Sequence, residues 1–325
     1  MSHNPSGVIR SLEASYWRVL GKRMRADNIM SGARATFVDK LRHSYFRNGR
    51  TPGSDSQAIS SPAVIVQPPA VSVTMPVIEG ASLDRQAKVK ARLPIPFYGV
   101  QPQTYRSREV IYTCVVGDRH ALQSVDAELR YEHVLYVDRD VPMVGWNQRP
   151  LLFWDPAPKL ITLFHKFSLC SLVPAGTKMI WLDSRVNISA DVAQRVFAAL
   201  DDSDLCLFRH YERDCVYDEV LAVLGAGRSS SAHCEEYARY LRELGFPRNG
   251  GLFETGVMAF RAGPEVAELF RRVFGLCYRY VPRDQLALPV ALAASSLKVH
   301  VYEGGVTHLR NTPGVTLKSW KELAT

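Results

Sequence analysis

A chain of 325 residues with 46% hydrophobic and 22% charged side chains can bury one large globular core and still carry appendages. No apolar run approaches the roughly 20 residues needed to cross a bilayer, and no apolar stretch follows the N-terminal charges as in a secretory leader. The net charge of +8 is concentrated, because residues 1–50 hold Arg10, Arg18, Lys22, Arg23, Arg25, Arg34, Lys40, Arg42, Arg47 and Arg50 against Glu13, Asp27 and Asp39. Such an arm attracts anionic lipid, polyanions or an acidic partner by Coulomb attraction. A cytoplasmic chain is expected, with the membrane surface within reach of the arm as a peripheral contact. The arm lacks an aromatic-interleaved basic platform, so nucleic acid is not an expected partner.

Residues 1–50 form a basic extension of helical composition, with Trp17, Leu20 and Met24 on a rough stripe and Gly32 as an interruption. It reads as a helix packed on the main domain or on a second copy, or as an amphipathic helix at a membrane surface. Residues 51–104, rich in Pro, Ser, Gly and Gln, read as a linker. The texture then changes. VIYTCVVGD, starting at Val110, is a near-continuous apolar run suited to a buried parallel strand. A helix is expected around 119–129, followed by strands at HVLYVD (133–138) and TKMIWLD (177–183). Ser189 has the character of an N-cap for a helix over 190–200, with Asp191 in its first turn. A strand DLCLFRH (204–210), helices near 214–224 and 232–244, a strand GVMAFR (256–261) and a helix over 264–277 complete the series. Strands alternating with helices predict an α/β domain over 105–312, with a mostly parallel sheet flanked by helices, ahead of a tail over 313–325. Six cysteines without any CxxC spacing suggest buried thiols rather than a zinc site or disulfide framework.

Three of the expected strands close on Asp118, Asp138 and Asp183. Ligands of parallel sheets gather at the carboxyl ends of the strands. A carboxylate there can accept from a nucleobase, bind ribose hydroxyls or hold a phosphate-bridging cation. A lone strand-end aspartate more often caps the next helix, but three on successive strands point to a nucleotide site. The chain contains neither G-x-G-x-x-G nor G-x-x-x-x-G-K-[ST], so dinucleotide and P-loop sites lose their main support.

Five blocks then occur in order: KMIWLDSRVNI (178–188), RHYERDCVYDEV (209–220), EEYARYLRELGFP (235–247), ETGVMAFR (254–261) and PRDQLALPVAL (282–292). Together they resemble the glycosyltransferase-like domain family typified by plant mucilage-related glycosyltransferases, long catalogued as a domain of unknown function. The T-G-V strand and the D-Q pair are also distantly similar to glycogenin-like enzymes, which have the GT-A fold. The resemblance covers about residues 105–295. It implies a GT-A-like domain that transfers a sugar from a nucleotide donor, such as a UDP-sugar, to a glycan or other hydroxyl acceptor. A non-catalytic nucleotide-sugar or glycan-binding module of the same fold is the alternative.

The resemblance also implies residue roles. Asp183 stands where GT-A enzymes place the metal-binding D-x-D aspartate, which suggests manganese or magnesium as cofactor. The second acid is absent, because the triplet is Asp183-Ser184-Arg185, and Arg185 is a candidate to meet the diphosphate instead. Asp138-Arg139-Asp140 spells D-x-D after an earlier strand, where the carboxylate more often meets base or ribose. Lys166 is expected near the donor phosphates, or else on a solvated helix face. His210, Glu212 and Arg213 are candidates for sugar or acceptor hydroxyls. Glu254 and Asp284 are the candidate catalytic carboxylates, with Arg283 and Gln285 beside the substrate. Asp284 has a second reading as the N-cap of a helix beginning at Gln285. Arg261 reads as an anchor for phosphate or an internal carboxylate. His308, after Gly304-Gly305, is a further candidate metal ligand, since neutral imidazole suits manganese.

Overall fold

The structure is a computed structural model that describes residues 100–117, 120–125 and 130–318. The basic extension, most of the linker, Asp118 and the end of the tail lie outside the described residues. The elements are, in order, β1 (Glu109–Val115), β2 (Glu132–Val137), β3 (Asn147–Pro150), α1 (Pro158–Ser168), β4 (Lys178–Leu182), β5 (Val186–Ile188) and α2 (Ala190–Ala199). There follow β6 (Leu205–Arg209), α3 (Val216–Gly225), α4 (Ser231–Glu243), β7 (Phe253–Arg261), α5 (Pro264–Arg279), α6 (Asp284–Leu292), β8 (Val299–Val301) and β9 (Val315–Leu317). The chain divides into two compact units. Among the described residues the smaller holds 221–235, where α3 ends and α4 begins, and the larger holds the rest.

The larger unit is built on a seven-stranded sheet of order β3-β2-β1-β4-β7-β6-β8. Only β7 runs antiparallel to its neighbours, and the other pairs are parallel. This is the mixed, mostly parallel sheet that the alternation of strands and helices predicts. Period-two side-chain alternation divides the core between its two faces. Ile111, Val115, Ile180, Leu182, Val257 and Ala259 pack with Val192, Val196 and Phe197 of α2 on one side. Tyr112, Trp181 and Phe260 point to the other, where Phe260 meets Phe270 of α5 edge-on at 4.8 Å and Phe270 meets Phe167 of α1 at 5.4 Å. Ser189 caps α2 as expected, accepting from the Val192 N–H. The six cysteines are free and buried. Among the described residues no helix is long and apolar enough to cross a membrane.

The helix expected around 119–129 is not formed at residues 120–125, which carry no regular structure. Their backbone groups pair outside the segment instead of with each other. The Ala121 N–H donates to the Ser184 carbonyl at 2.7 Å, and Asn187 of β5 both accepts from the Gln123 N–H and donates to the Ala121 carbonyl. The Val125 N–H meets the Val144 carbonyl at 3.0 Å. Gly145 lies against Val125 at φ +80°, where an added Cβ would stand 2.0 Å from the Val125 oxygen. Tertiary pairing has overridden a helical composition. Residues 315–317, within the segment read as a tail, form β9 and pair antiparallel with β5.

Candidate active site

The reversed strand β7 organises the site. β4 ends at Leu182 and delivers Asp183 to the carboxyl edge of the sheet. Because β7 runs the other way, its first residues lie at that same edge. The Asp183 N–H donates to the Gly256 carbonyl at 2.8 Å, continuing the β4–β7 ladder. Gly256 makes room for Leu309, from which an added Cβ would stand 3.1 Å. A register irregularity between Leu207 and Phe208 sets Glu254 opposite Phe208 of β6.

Lys166 enters from the last turn of α1 and is buried, its side chain 1% exposed. The solvated helix-face alternative for this lysine is therefore not what the structure holds. A buried ammonium requires partners. Its Nζ lies 2.5 Å from Asp284 Oδ2 and 3.7 Å from Asp183 Oδ1, and it donates to the Thr255 carbonyl. The Trp181 indole, whose face lies 5.4 Å from Nζ, donates its N–H to Asp183 Oδ1 at 2.8 Å. One ammonium thus ties α1, β4, β7 and α6 together. Burial alone would raise the proton affinity of Asp284. The charge of Lys166, with Lys159 and Arg283 behind it, overrides that and holds the carboxyl well below the usual range. Asp284 is the first residue of α6, and the N-cap is Arg283 with no side-chain capping bond. The capping alternative fails because this carboxylate is turned inward to Lys166. The Arg283 guanidinium donates to Gln285 Oε1 at 2.9 Å.

Glu254 is 5% exposed. Its Oε1 lies 3.4 Å from Arg310 Nε, while Oε2 is buried with no partner. Burial raises its proton affinity against the opposing charges of Arg310 and Arg185. Arg310 in turn lies over the Tyr211 ring at 3.8 Å. Tyr211 stacks on His210 at 5.1 Å and reaches His308 at 5.8 Å. A bridge between Arg209 and His308 holds the latter beside the end of β6, and its Nδ1 is buried without a partner. His210 Nδ1 accepts from the Glu212 and Arg213 N–H groups at 3.2 and 3.1 Å. Burial, and then the Arg213 charge, push the His210 pKa down to about 4. The imidazole is thus neutral near pH 7, with its proton on Nε2. Arg213 pairs with buried Glu219 at 2.8 Å and with Glu212 at 2.7 Å.

Asp138 shares the carboxyl edge from β2. Its oxygens accept from the Gly117 N–H at 3.2 and 3.1 Å and lie 3.3 Å from Arg139. Burial would raise its pKa, but the hydrogen bonds from Arg139 and Gly117 outweigh it and lower the value. Arg261 stands at the far end of β7, 3.3 Å from Asp204, and so meets an internal carboxylate. The structure brings Lys166, Asp183 and Asp284 into direct contact, and Glu254 and His308 both meet the Arg310–Tyr211 pair. Sequence reasoning missed Arg310, Tyr211 and the indole of Trp181. Trp181 and Tyr211 lie inside the KMIWLDSRVNI and RHYERDCVYDEV blocks, and Arg310 is two residues from His308.

The residues fit a divalent cation poorly. Asp183 Oδ1 already accepts from Trp181 and faces the Lys166 ammonium, and the position two residues on is a cation. His308 offers one buried nitrogen, yet among the described residues no three His, Cys, Asp or Glu side chains gather to hold a metal ion.

No family model matches the chain, and no curated protein matches it. Among solved structures it is similar to the bifunctional glycosyltransferase WbbM in apo form, at 12% identity and TM-score 0.37, over 71% of this chain and 45% of that one. It is similar to mouse xyloside xylosyltransferase 1, apo form, at 10% identity and TM-score 0.36, over 59% of this chain and 84% of that one. It is also similar to core-mannan synthase A of Aspergillus fumigatus in its Mn/GDP form, at 12% identity and TM-score 0.32, over 72% of this chain and 89% of that one. These neighbours are glycosyltransferases, and the chain spans less than half the length of the first. Likeness this distant carries no activity to the present chain, whose reading rests on its own geometry.

Proposed function

We propose that the chain is a nucleotide-sugar-dependent glycosyltransferase that moves a hexose-type sugar from a UDP donor to a glycan or other hydroxyl acceptor in polysaccharide biosynthesis. The observation that carries this reading is Glu254, a buried carboxylate with one oxygen unpartnered, at the sheet edge where Lys166 binds Asp183 and Asp284. The five ordered motif blocks support the same reading and its placement with the mucilage-related family.

Asp138, after β2, takes the nucleoside side through base N–H and ribose hydroxyl groups, a role the sequence also suggests for Asp118, which lies outside the described residues. Arg185 faces the diphosphate, for which a guanidinium fork is suited. Lys166 acts as a positioning residue, because it is buried, donates to Asp284 and to the Thr255 carbonyl, and pairs by charge with Asp183 at 3.7 Å. Asp284, with Arg283 and Gln285 beside it, orients sugar hydroxyls. His210 offers its Nε2–H to a sugar or acceptor hydroxyl. Glu212 and Arg213 support it from behind through their N–H groups, and His308 lies against the same Tyr211.

Glu254 is the better of the two catalytic candidates. Asp284 is charge-paired and held far from protonation, which unfits it for exchanging protons. Glu254 has a spare oxygen and a raised proton affinity, which moves a carboxylate toward the working range of a general base. In an inverting transfer it takes the acceptor hydroxyl proton as the acceptor oxygen bonds to C1 and the nucleoside diphosphate leaves. In a retaining transfer the same carboxylate stabilises the oxocarbenium-like centre.

Calorimetric titration with nucleoside diphosphates tests the reading. UDP is expected to bind, and the melting point to rise with it by mass action. Absence of heat from every nucleoside diphosphate, with or without divalent metal, would remove the reading. Binding without turnover of any nucleotide sugar would leave the non-catalytic module.

A further inference from the structure

The edge that Asp183 shares with β7 carries its own positive charge. Lys166 stands at Asp183, Arg310 stands on Glu254, which the charge of Arg185 also reaches, and the charges of Lys159 and Arg283 reach Asp284. These cations outnumber the carboxylates Asp183, Glu254 and Asp284. A divalent ion bridging a diphosphate to a carboxylate supplies positive charge where the protein offers negative charge. Here the protein offers the reverse. The Lys166 ammonium cannot withdraw to admit a metal, since it is 1% exposed and held by Asp284 at 2.5 Å. Arg185 is half-buried, and its Nη1 is anchored on the Lys318 carbonyl at 3.3 Å. An anchored guanidinium is pre-organised for two phosphate oxygens at once.

We propose that Arg185, assisted by Arg310, takes the place of a divalent cation at the donor diphosphate, and that the chain binds nucleoside diphosphates without metal. Lys166 contributes by neutralising Asp183, which would otherwise repel the phosphates. The proposal rests on the glycosyltransferase reading and concerns one part of it.

The test is calorimetric titration of the full chain with uridine diphosphate and guanosine diphosphate, once in EDTA and once in excess manganese. At least one of the two is expected to bind, with dissociation constants that agree within about threefold between the conditions. Arg185→Gln is expected to weaken binding roughly tenfold or more in both conditions, as loss of a charge-assisted fork does. Arg185→Lys is expected to recover part of that loss, and circular dichroism to match the parent chain throughout. Heat that appears only with manganese would overturn the inference while leaving the nucleotide site intact, as would Arg185→Gln binding like the parent. No heat from either nucleotide in either condition would overturn this inference, and the same result with every nucleoside diphosphate would remove the glycosyltransferase reading as well.

Discussion

Asp138 and Asp183 both follow parallel strands of one sheet, yet their surroundings differ. Asp138 is met by the Gly117 N–H and by Arg139, its sequence neighbour on the surface. Asp183 is met by an indole N–H and a buried ammonium that also holds a second aspartate, Asp284, from a helix that begins 101 residues downstream. The position at a strand end is the same, and the cost of disturbing it is not. The two carboxylates are about equally exposed, at 22% and 30% of their side chains, but Asp183 touches a pair, Lys166 and Asp284, that is 1% and 5% exposed and leaves an uncompensated buried charge when one member goes.

The largest expected effect follows from that contrast. Lys166→Met should destabilise the chain by about 3–5 kcal/mol in urea unfolding, because Asp284 is left charged and buried. The double substitution Lys166→Met/Asp284→Leu should recover much of that loss, and a double-mutant cycle measures the coupling. Equal destabilisation by the single and the double variant would show that the pair is not coupled.

Acidity gives an intermediate effect with a defined sign. Asp284 has a depressed folded pKa, so its stabilisation is complete above the unfolded value of about 4 and is lost as the pH falls below it. His210, also depressed, stabilises the fold fully above the unfolded value of about 6.5, and the contribution fades as the pH falls toward about 4. Stability measured between these limits should therefore fall on acidification, and His210→Gln should flatten part of the slope. An unchanged slope would mean that His210 binds its proton equally in the native and unfolded states.

Asp138→Asn is the smallest expected change. It weakens hydrogen bonds at a partly exposed site and should cost about 1 kcal/mol or less in the same unfolding assay. A loss as large as that of Lys166→Met would erase the distinction between the two strand ends.

Much of this fold was legible in the sequence. Runs such as VIYTCVV, HVLYV and KMIWL are apolar β-formers, and their continuity marks burial on both faces of a sheet. Ser189 was legible as a cap because its oxygen acts locally. The direction of β7 was not legible, since GVMAFR has the same composition run either way. That direction is what brings Glu254 to the edge where Asp183 ends. Segment 120–125 misled for the opposite reason. Its helical composition is a weak local preference, and distant partners in Ser184 and Asn187 outweighed it. Asp284 reads as a site residue with a cap as the alternative, and only Lys166 from α1 decides between them, because sequence spacing holds no information on which helix faces which.

The central claim is that the edge shared by Asp183 and Glu254 performs sugar transfer, and Glu254→Gln tests it most directly. The amide keeps the size of the side chain and removes its ability to take a proton. Nucleotide release from a panel of UDP-sugars, measured beside uridine diphosphate affinity, separates chemistry from binding. The account predicts turnover reduced on the order of a hundredfold or more, with affinity kept within about threefold and the melting point not lowered. Parent-level turnover by well-folded Glu254→Gln would contradict it.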